Sequence, residues 1–317
     1  MTGRLTFILA FLFAAAGASA RTLLPYGDMN SWVTRNIRES RIIGGNDRVC
    51  YAVGPTRTVD GDIPYTPQGG TPWASSNVMA KVVGITKVSN AVFPDTRAAG
   101  DKCAKLTSIL EHCKAIGLIN IDVMVAGTLF LGEMHEPITG TSDPYSKMEM
   151  GIPFTRRPSA LVYDYKLHIP AGDTRIYSSG FGKKKTLPGS DRSEVYILLQ
   201  RRWEDSEGNI HAKRVGTGRE LLGSSTDGWV NGHSLPVHYG DITGESFYKP
   251  YMNLIPAGKS YYARNSRGKM VPVVEEGWDS ADATPTHMIV MFSAGSGEPY
   301  VGTPGLTLWV DNVGLEY

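Results

Sequence analysis

The chain closes on Leu306-Thr-Leu-Trp-Val-Asp-Asn-Val-Gly-Leu-Glu-Tyr317, and the reading of this stretch decides the fold. Leu306, Leu308 and Val310 alternate with Thr307, Trp309 and Asp311, the period of two that a pleated backbone imposes, so a strand with one apolar face is expected. A closing strand needs a partner, and in sandwiches with Greek-key connections that partner often comes from near the amino end. Tyr26-Gly-Asp-Met-Asn-Ser-Trp32 is the matching stretch, and pairing the two would set Asp28, Asn30 and Asp311 near one another. Oxygen ligands from distant segments suit a hard cation, so structural calcium is expected there. Short acidic and amide residues at strand ends also form turns, and that reading competes with the metal.

Working outward, 36 glycines and 19 prolines fall in clusters between short apolar or alternating runs, the punctuation of a protein made mainly of strands. Residues 78–83, 119–130, 160–168, 194–202, 210–215, 261–265 and 287–292 read as strands. Asp205-Ser-Glu-Gly-Asn209 is a hairpin turn, because glycine and asparagine tolerate positive φ. Helix is expected only at 108–115 and 248–252. With no repeat, linker or composition break, the expected fold is all-β, an antiparallel β-sandwich of jelly-roll type with minimal helix, as one domain over 21–317.

Residues 1–20 carry Arg4, then the apolar run 5–17 and the small-residue ending Ala18-Ser-Ala20, the pattern of a secretory signal cleaved near Ala20. The run is shorter than the roughly 20 residues of a spanning helix, so a membrane anchor is rejected and a periplasmic or extracellular product is expected. A net charge of +1 from 32 basic and 31 acidic residues excludes nucleic acid or an anionic membrane as the main partner, since both need a concentrated basic surface. Gly182-Lys-Lys-Lys185 reads as a solvated loop. Cys50, Cys103 and Cys113 make no disulfide framework, although an oxidising compartment would allow one bridge, such as Cys103 with Cys113.

Catalytic motifs mostly fail. Arg41-Ile-Ile-Gly-Gly45 resembles a protease activation site, but no nucleophile segment accompanies it. Gly223-Ser-Ser-Thr lacks the second glycine of a nucleophile elbow, and no histidine pair has metalloprotease spacing; His233 and His238 read as loop residues. Carboxylates remain. Glu149, Asp164, Glu194 and Glu204 sit in or beside expected strands, where a pair facing across a sugar would serve glycoside hydrolysis, with Arg156 and Arg202 as competing ion-pair partners.

Aromatic residues give the stronger reading. Sugars stack their C–H faces on flat rings while short polar groups bind hydroxyls. Trp73, Trp229 and Trp278 lie in loop-like contexts with polar neighbours, whereas Trp32, Trp203 and Trp309 look like core. The ligand residues expected are Trp73, Asn77, Trp229 and His233, and the metal ligands Asp28, Asn30 and Asp311. Gly44-Gly45, Thr71-Pro-Trp-Ala-Ser-Ser-Asn77, Gly151-Ile-Pro-Phe-Thr-Arg-Arg-Pro-Ser-Ala-Leu161 with Tyr163-Asp-Tyr-Lys166, and the closing segment resemble the carbohydrate metabolism domain family of gut-anaerobe glycan-utilisation proteins. The closing segment is also similar to jelly-roll carbohydrate-binding modules. The resemblance implies a jelly roll and a link to carbohydrate, and it carries over no catalytic residue. The expectation is a secreted or periplasmic protein that binds an oligosaccharide or polysaccharide. Glycoside hydrolysis is the alternative, and a structural or adhesive surface role the second.

Overall fold

A computed structural model describes residues 21–317 except 62–69, 83, 116–118, 181 and 297; the expected signal at 1–20 therefore lies outside the described residues. The closing segment is the strand Thr307–Glu316, central in the first sheet. Ala160–His168 runs antiparallel along one edge. The other edge is shared by Asp101–Ala115, against 307–310, and by Thr22–Leu23, against 314–315. The two ends of the chain are partners, but through the strand Thr22–Leu23; the expected stretch 26–32 contributes the Gly27 carbonyl, which accepts from the Val313 N–H at 2.7 Å, and Trp32 begins a strand of another sheet. Leu306, Leu308 and Val310 point into the core, but so do Val313 and Leu315, one residue out of phase. Asn312 at φ 51 and a register shift between Val162 and Asp164 mark the bulge that resets the alternation.

The second sheet packs its face on the first, and its strands are buried on both sides. In Ser193–Glu204, Val195, Ile197 and Leu199 join the sandwich core, while Tyr196 and Leu198 join a separate apolar cluster. His287–Ser293 and Thr128–Met134 split likewise, with Val290, Phe292 and Leu129 on the sandwich side and Ile289, Met291 and Phe130 on the other. The second cluster is enclosed because the sheet closes on itself. Ser193–Glu204 pairs Ile210–Leu222, then come Met270–Trp278, Tyr262–Arg264, Met148–Met150, Thr128–Met134 and His287–Ser293, which pairs Ser193–Glu204 again. The jelly-roll sandwich is thus present with an addition, a barrel-like ring built on one of its sheets, and the pairing of Ile210–Leu222 with Met270–Trp278 is parallel.

Several local expectations are corrected. Residues 108–115 belong to the strand Asp101–Ala115, whose antiparallel pairing with Ile119–Ala126 overrides local helix propensity. At 248–252 there is one 3-10 turn, Pro250–Met252. The expected strand 119–130 breaks at Gly127, where a Cβ would collide with the backbone of Ala91 and Thr107, so only glycine lets the chain pass. Cys103 and Cys113 are free, as is Cys50. Trp32 is core, but Trp203 is 38% exposed, stacked on His211, and Trp309 is half-buried. No helix of the described residues is long and apolar enough to cross a membrane.

Candidate functional site

The four expected ligand residues have different surroundings. Trp73 is 1% exposed and its indole N–H donates to the Pro25 carbonyl at 2.8 Å, so its ring is a core element. Asn77 is equally committed: its amide donates to the carbonyls of Tyr51 and Val92, and its oxygen accepts from the Ala91 and Val92 N–H groups at 2.8 Å each. That uses the whole capacity of a carboxamide. Trp229 is half-buried, with the Arg97 guanidinium 4.4 Å over its ring. His233 lies in the strand Val230–Pro236, not a loop, against the rings of Tyr163 and Tyr165, with Nε2 2.9 Å from Glu220.

At the meeting of the ends, Arg97 bridges Asp164 and Asp311, and Asn30 accepts from the Lys102 N–H at 2.8 Å. The Asp311 carboxylate also accepts from the Asn312 N–H at 2.7 Å, so its oxygens face a guanidinium and an amide. Burial pushes the Asp311 carboxyl up. Burial also acts on Asp164, but the Gly232 N–H, Arg97 and Asn312 outweigh it and hold that carboxyl below its ordinary value. Among the described residues, Glu133, His135 and Glu149 form the group with metal-ligand character, their donor atoms within 4.8 Å of one another. His135 is already 2.7 Å from Glu149, and the Arg264 guanidinium lies 3.4 Å from Glu149 and 3.8 Å from Glu133, so the group is held as an ion-pair network.

A cavity of about 560 Å³ opens at one end of the barrel. Its barrel side comes from residues in mutual register, Glu194, Ser293 and Thr128, joined by Arg219 and Tyr261. Arg219 donates to Glu194 from Nε at 2.8 Å and lies 2.7 Å from it through Nη2. Burial opposes the charge on Arg219, and Glu194 outweighs burial and keeps it cationic. The Tyr261 hydroxyl, paired with that of Tyr196, is pushed up to about 12 by burial. Tyr145 sits edge-on to Tyr261 with ring centres 6.0 Å apart, and burial raises its hydroxyl too.

The opposite side consists of two hairpins. In Val78–Val82 and Ile85–Ser89, Val78, Ala80, Val82 and Ile85 share the cavity face. In the other, Ile121, Val123 and Val125 of Ile119–Ala126 line it, with Glu111 and Cys113 opposite them. Alternation puts all of these on one face.

Of the carboxylates expected for hydrolysis, Glu194 reaches the cavity. Glu149 is held with His135, Asp164 with Arg97, and Glu204 accepts the Ser266 N–H and hydroxyl at 2.7 Å each. The other cavity carboxylates are engaged: Glu111 with Lys87 at 2.8 Å, Asp143 with the Tyr262 hydroxyl at 2.7 Å, and Glu298 with Lys259. The Val78-Met-Ala-Lys-Val82 and Ile121-Asp-Val-Met-Val125 stripes were the available sequence signal for this cavity, but alternation alone does not say which face meets a core.

An all-β sandwich with a large cleft at the end of a rigid ring defines a class of protein in which ligand sites are commonly set at barrel mouths. Within that class the chain belongs to the family described as "Putative carbohydrate metabolism domain", whose model matches residues 58–226. Its role is accordingly carbohydrate-related. The closing segment lies outside the matched residues. Two solved structures are similar. A "putative glycoside hydrolase" from Bacteroides thetaiotaomicron shares 18% identity over 86% of this chain and 81% of its own, with a TM-score of 0.46. Another so described, from Bacteroides vulgatus, shares 14% over 94% of this chain and 95% of its own, with a TM-score of 0.44. No curated protein matches the chain.

Proposed function

We propose that the protein binds glycan in carbohydrate utilisation, exported by residues 1–20 to the periplasm or the exterior, and that the cavity at the barrel end receives the saccharide. The observation that carries this reading is the state of the cavity's acids. Glu194, Glu111, Asp143 and Glu298 each hold a cation or a hydroxyl of the protein itself. A hydrolase needs two carboxyl groups committed to the glycosidic bond, one as acid. Here the same groups fix the wall of a binding site, and Tyr145 and the outer N–H groups of Arg219 line it to meet hydroxyls.

A glycan array on residues 21–317, with reducing-sugar release assayed on every hit, tests the reading. Binding without release is expected, and release of reducing ends would replace it with hydrolysis. A second surface is favoured by one observation. Trp229 is the member of the expected ligand set that combines a half-buried ring with polar neighbours, Arg97 over its face and Asn231 beside Arg97. It is the stacking platform of the competing reading, in which the saccharide lies outside the cavity, and loss of binding to the same array hits in Trp229→Ala would select that reading.

A further inference from the structure

We infer that the ligand of the cavity is amphiphilic, a saccharide carrying an aliphatic substituent such as an acyl or alkyl chain; this rests on the glycan reading and specifies its substrate class. The inference follows from how the cavity divides its chemistry. On the barrel side stand an ion pair and tyrosines, Glu194 with Arg219 and Tyr261 beside Tyr145. On the hairpin side stand branched aliphatic side chains, among them Val78, Val82, Ile121, Val123 and Val125, around Cys113 and the Lys87–Glu111 pair, whose charges meet each other at 2.8 Å.

All five aliphatic residues are half-buried, so they are neither sealed in a core nor fully solvated. Hydroxyl-rich sugars prefer flat rings and hydrogen-bonding groups, and branched aliphatic side chains offer neither. Methylene groups, by contrast, gain from such a wall in proportion to the area they remove from water. Both chemistries line one cavity of about 560 Å³, within the roughly 300–1,000 Å³ that encloses a small ligand whole, so head and chain can be bound together. Ile138 and Met291, near the line where the hairpins meet the barrel, make the apolar surface continuous from wall to ring.

The test is isothermal titration of the mature protein with methyl, butyl, hexyl and octyl glycosides of glucose, galactose and mannose, all below their micellar concentrations, and with 1-octanol. Affinity is expected to rise with chain length, by up to about fourfold per buried methylene, and octyl glycosides are expected to bind more tightly than octanol. Val123→Asp and Val82→Asp, on hairpins outside the sandwich core, are expected to flatten the chain-length series while thermal melting is retained. An affinity independent of chain length, or no binding of any alkyl glycoside by a protein that binds array saccharides, overturns the inference and leaves the glycan reading standing. Octanol binding as tightly as the octyl glycosides overturns both.

Discussion

The two faces of Ser193–Glu204 look onto different interiors. On the sandwich side, Val195, Ile197 and Leu199 meet Val290, Phe292, Leu308 and Val310 in a continuous apolar core. On the barrel side, Tyr196 and Leu198 give way to Gln200, which donates to Glu275 at 2.6 Å, and Glu275 forms an ion pair with Arg214, both side chains 0% exposed. Arg202 donates to Gln200 and to the Met150 carbonyl, each at 2.8 Å. The difference teaches where function can sit. An apolar core is specified by pattern and volume and tolerates little else, whereas a ring with polar groups in register can stay folded and still open one end to a ligand.

The largest effect that would sharpen this contrast comes from breaking the buried pair. Burial would raise the Glu275 carboxyl, but Arg214 outweighs it and holds it low, so Arg214→Met strands a charge in the ring. Loss of about 3–5 kcal/mol is expected in urea unfolding, with recovery in Arg214→Met/Glu275→Leu. No recovery would mean that the ring needs the charges themselves. On the sandwich side, Leu199→Ala should cost about 2–5 kcal/mol as a cavity with no polar component, and the loss should be indifferent to salt.

Arg97→Ala comes next, at about 1–3 kcal/mol, because it leaves Asp311 without its guanidinium and Asp164 with only the longer Arg21 guanidinium contact at 3.4 Å. A chelator should leave the melting temperature of the parent unchanged, and a fall reversed by calcium would restore a cation between the ends. A smaller effect is expected with pH. Burial, with Arg202 nearby, lowers the His287 pKa to about 4 from an ordinary 6.5, so the fold holds this ring neutral while the unfolded chain protonates first. Stability from this residue is complete above pH 6.5 and is lost as pH falls toward 4. His287→Gln should flatten that part of the profile of melting temperature against pH.

Much of the sandwich was legible in the sequence. The alternation at 306–310 and the scarcity of helix follow from side-chain period and turn residues, which act locally, and the partnership of the ends from the connectivity rule of Greek-key sandwiches. The phase reset at Asn312 was not legible, because a bulge is fixed by the register of Ala160–His168 as much as by the bulged strand. Trp73 and Trp203 came out opposite to expectation for a related reason, while Trp32 is core as expected. Polar neighbours around Trp73 suggest exposure, but one of them, Thr71, takes its backbone N–H at 3.1 Å, and the Pro25 carbonyl, from a distant segment, accepts from its indole. Glu194 was legible as a carboxylate in a strand, and the stripes at 78–82 and 121–125 as strand faces. Their convergence on one cavity is a property of topology, which no local pattern carries.

The measurement that bears most directly on the account is titration of one array-identified saccharide into the parent, Tyr145→Ala, Arg219→Met and Trp229→Ala. The cavity variants are expected to lose at least about 1 kcal/mol of binding, several-fold in Kd, with little change in melting temperature for Tyr145→Ala, while Trp229→Ala binds as the parent does. Full binding by Tyr145→Ala and Arg219→Met, with loss in Trp229→Ala, would move the site to the outer face and contradict the assignment of the cavity.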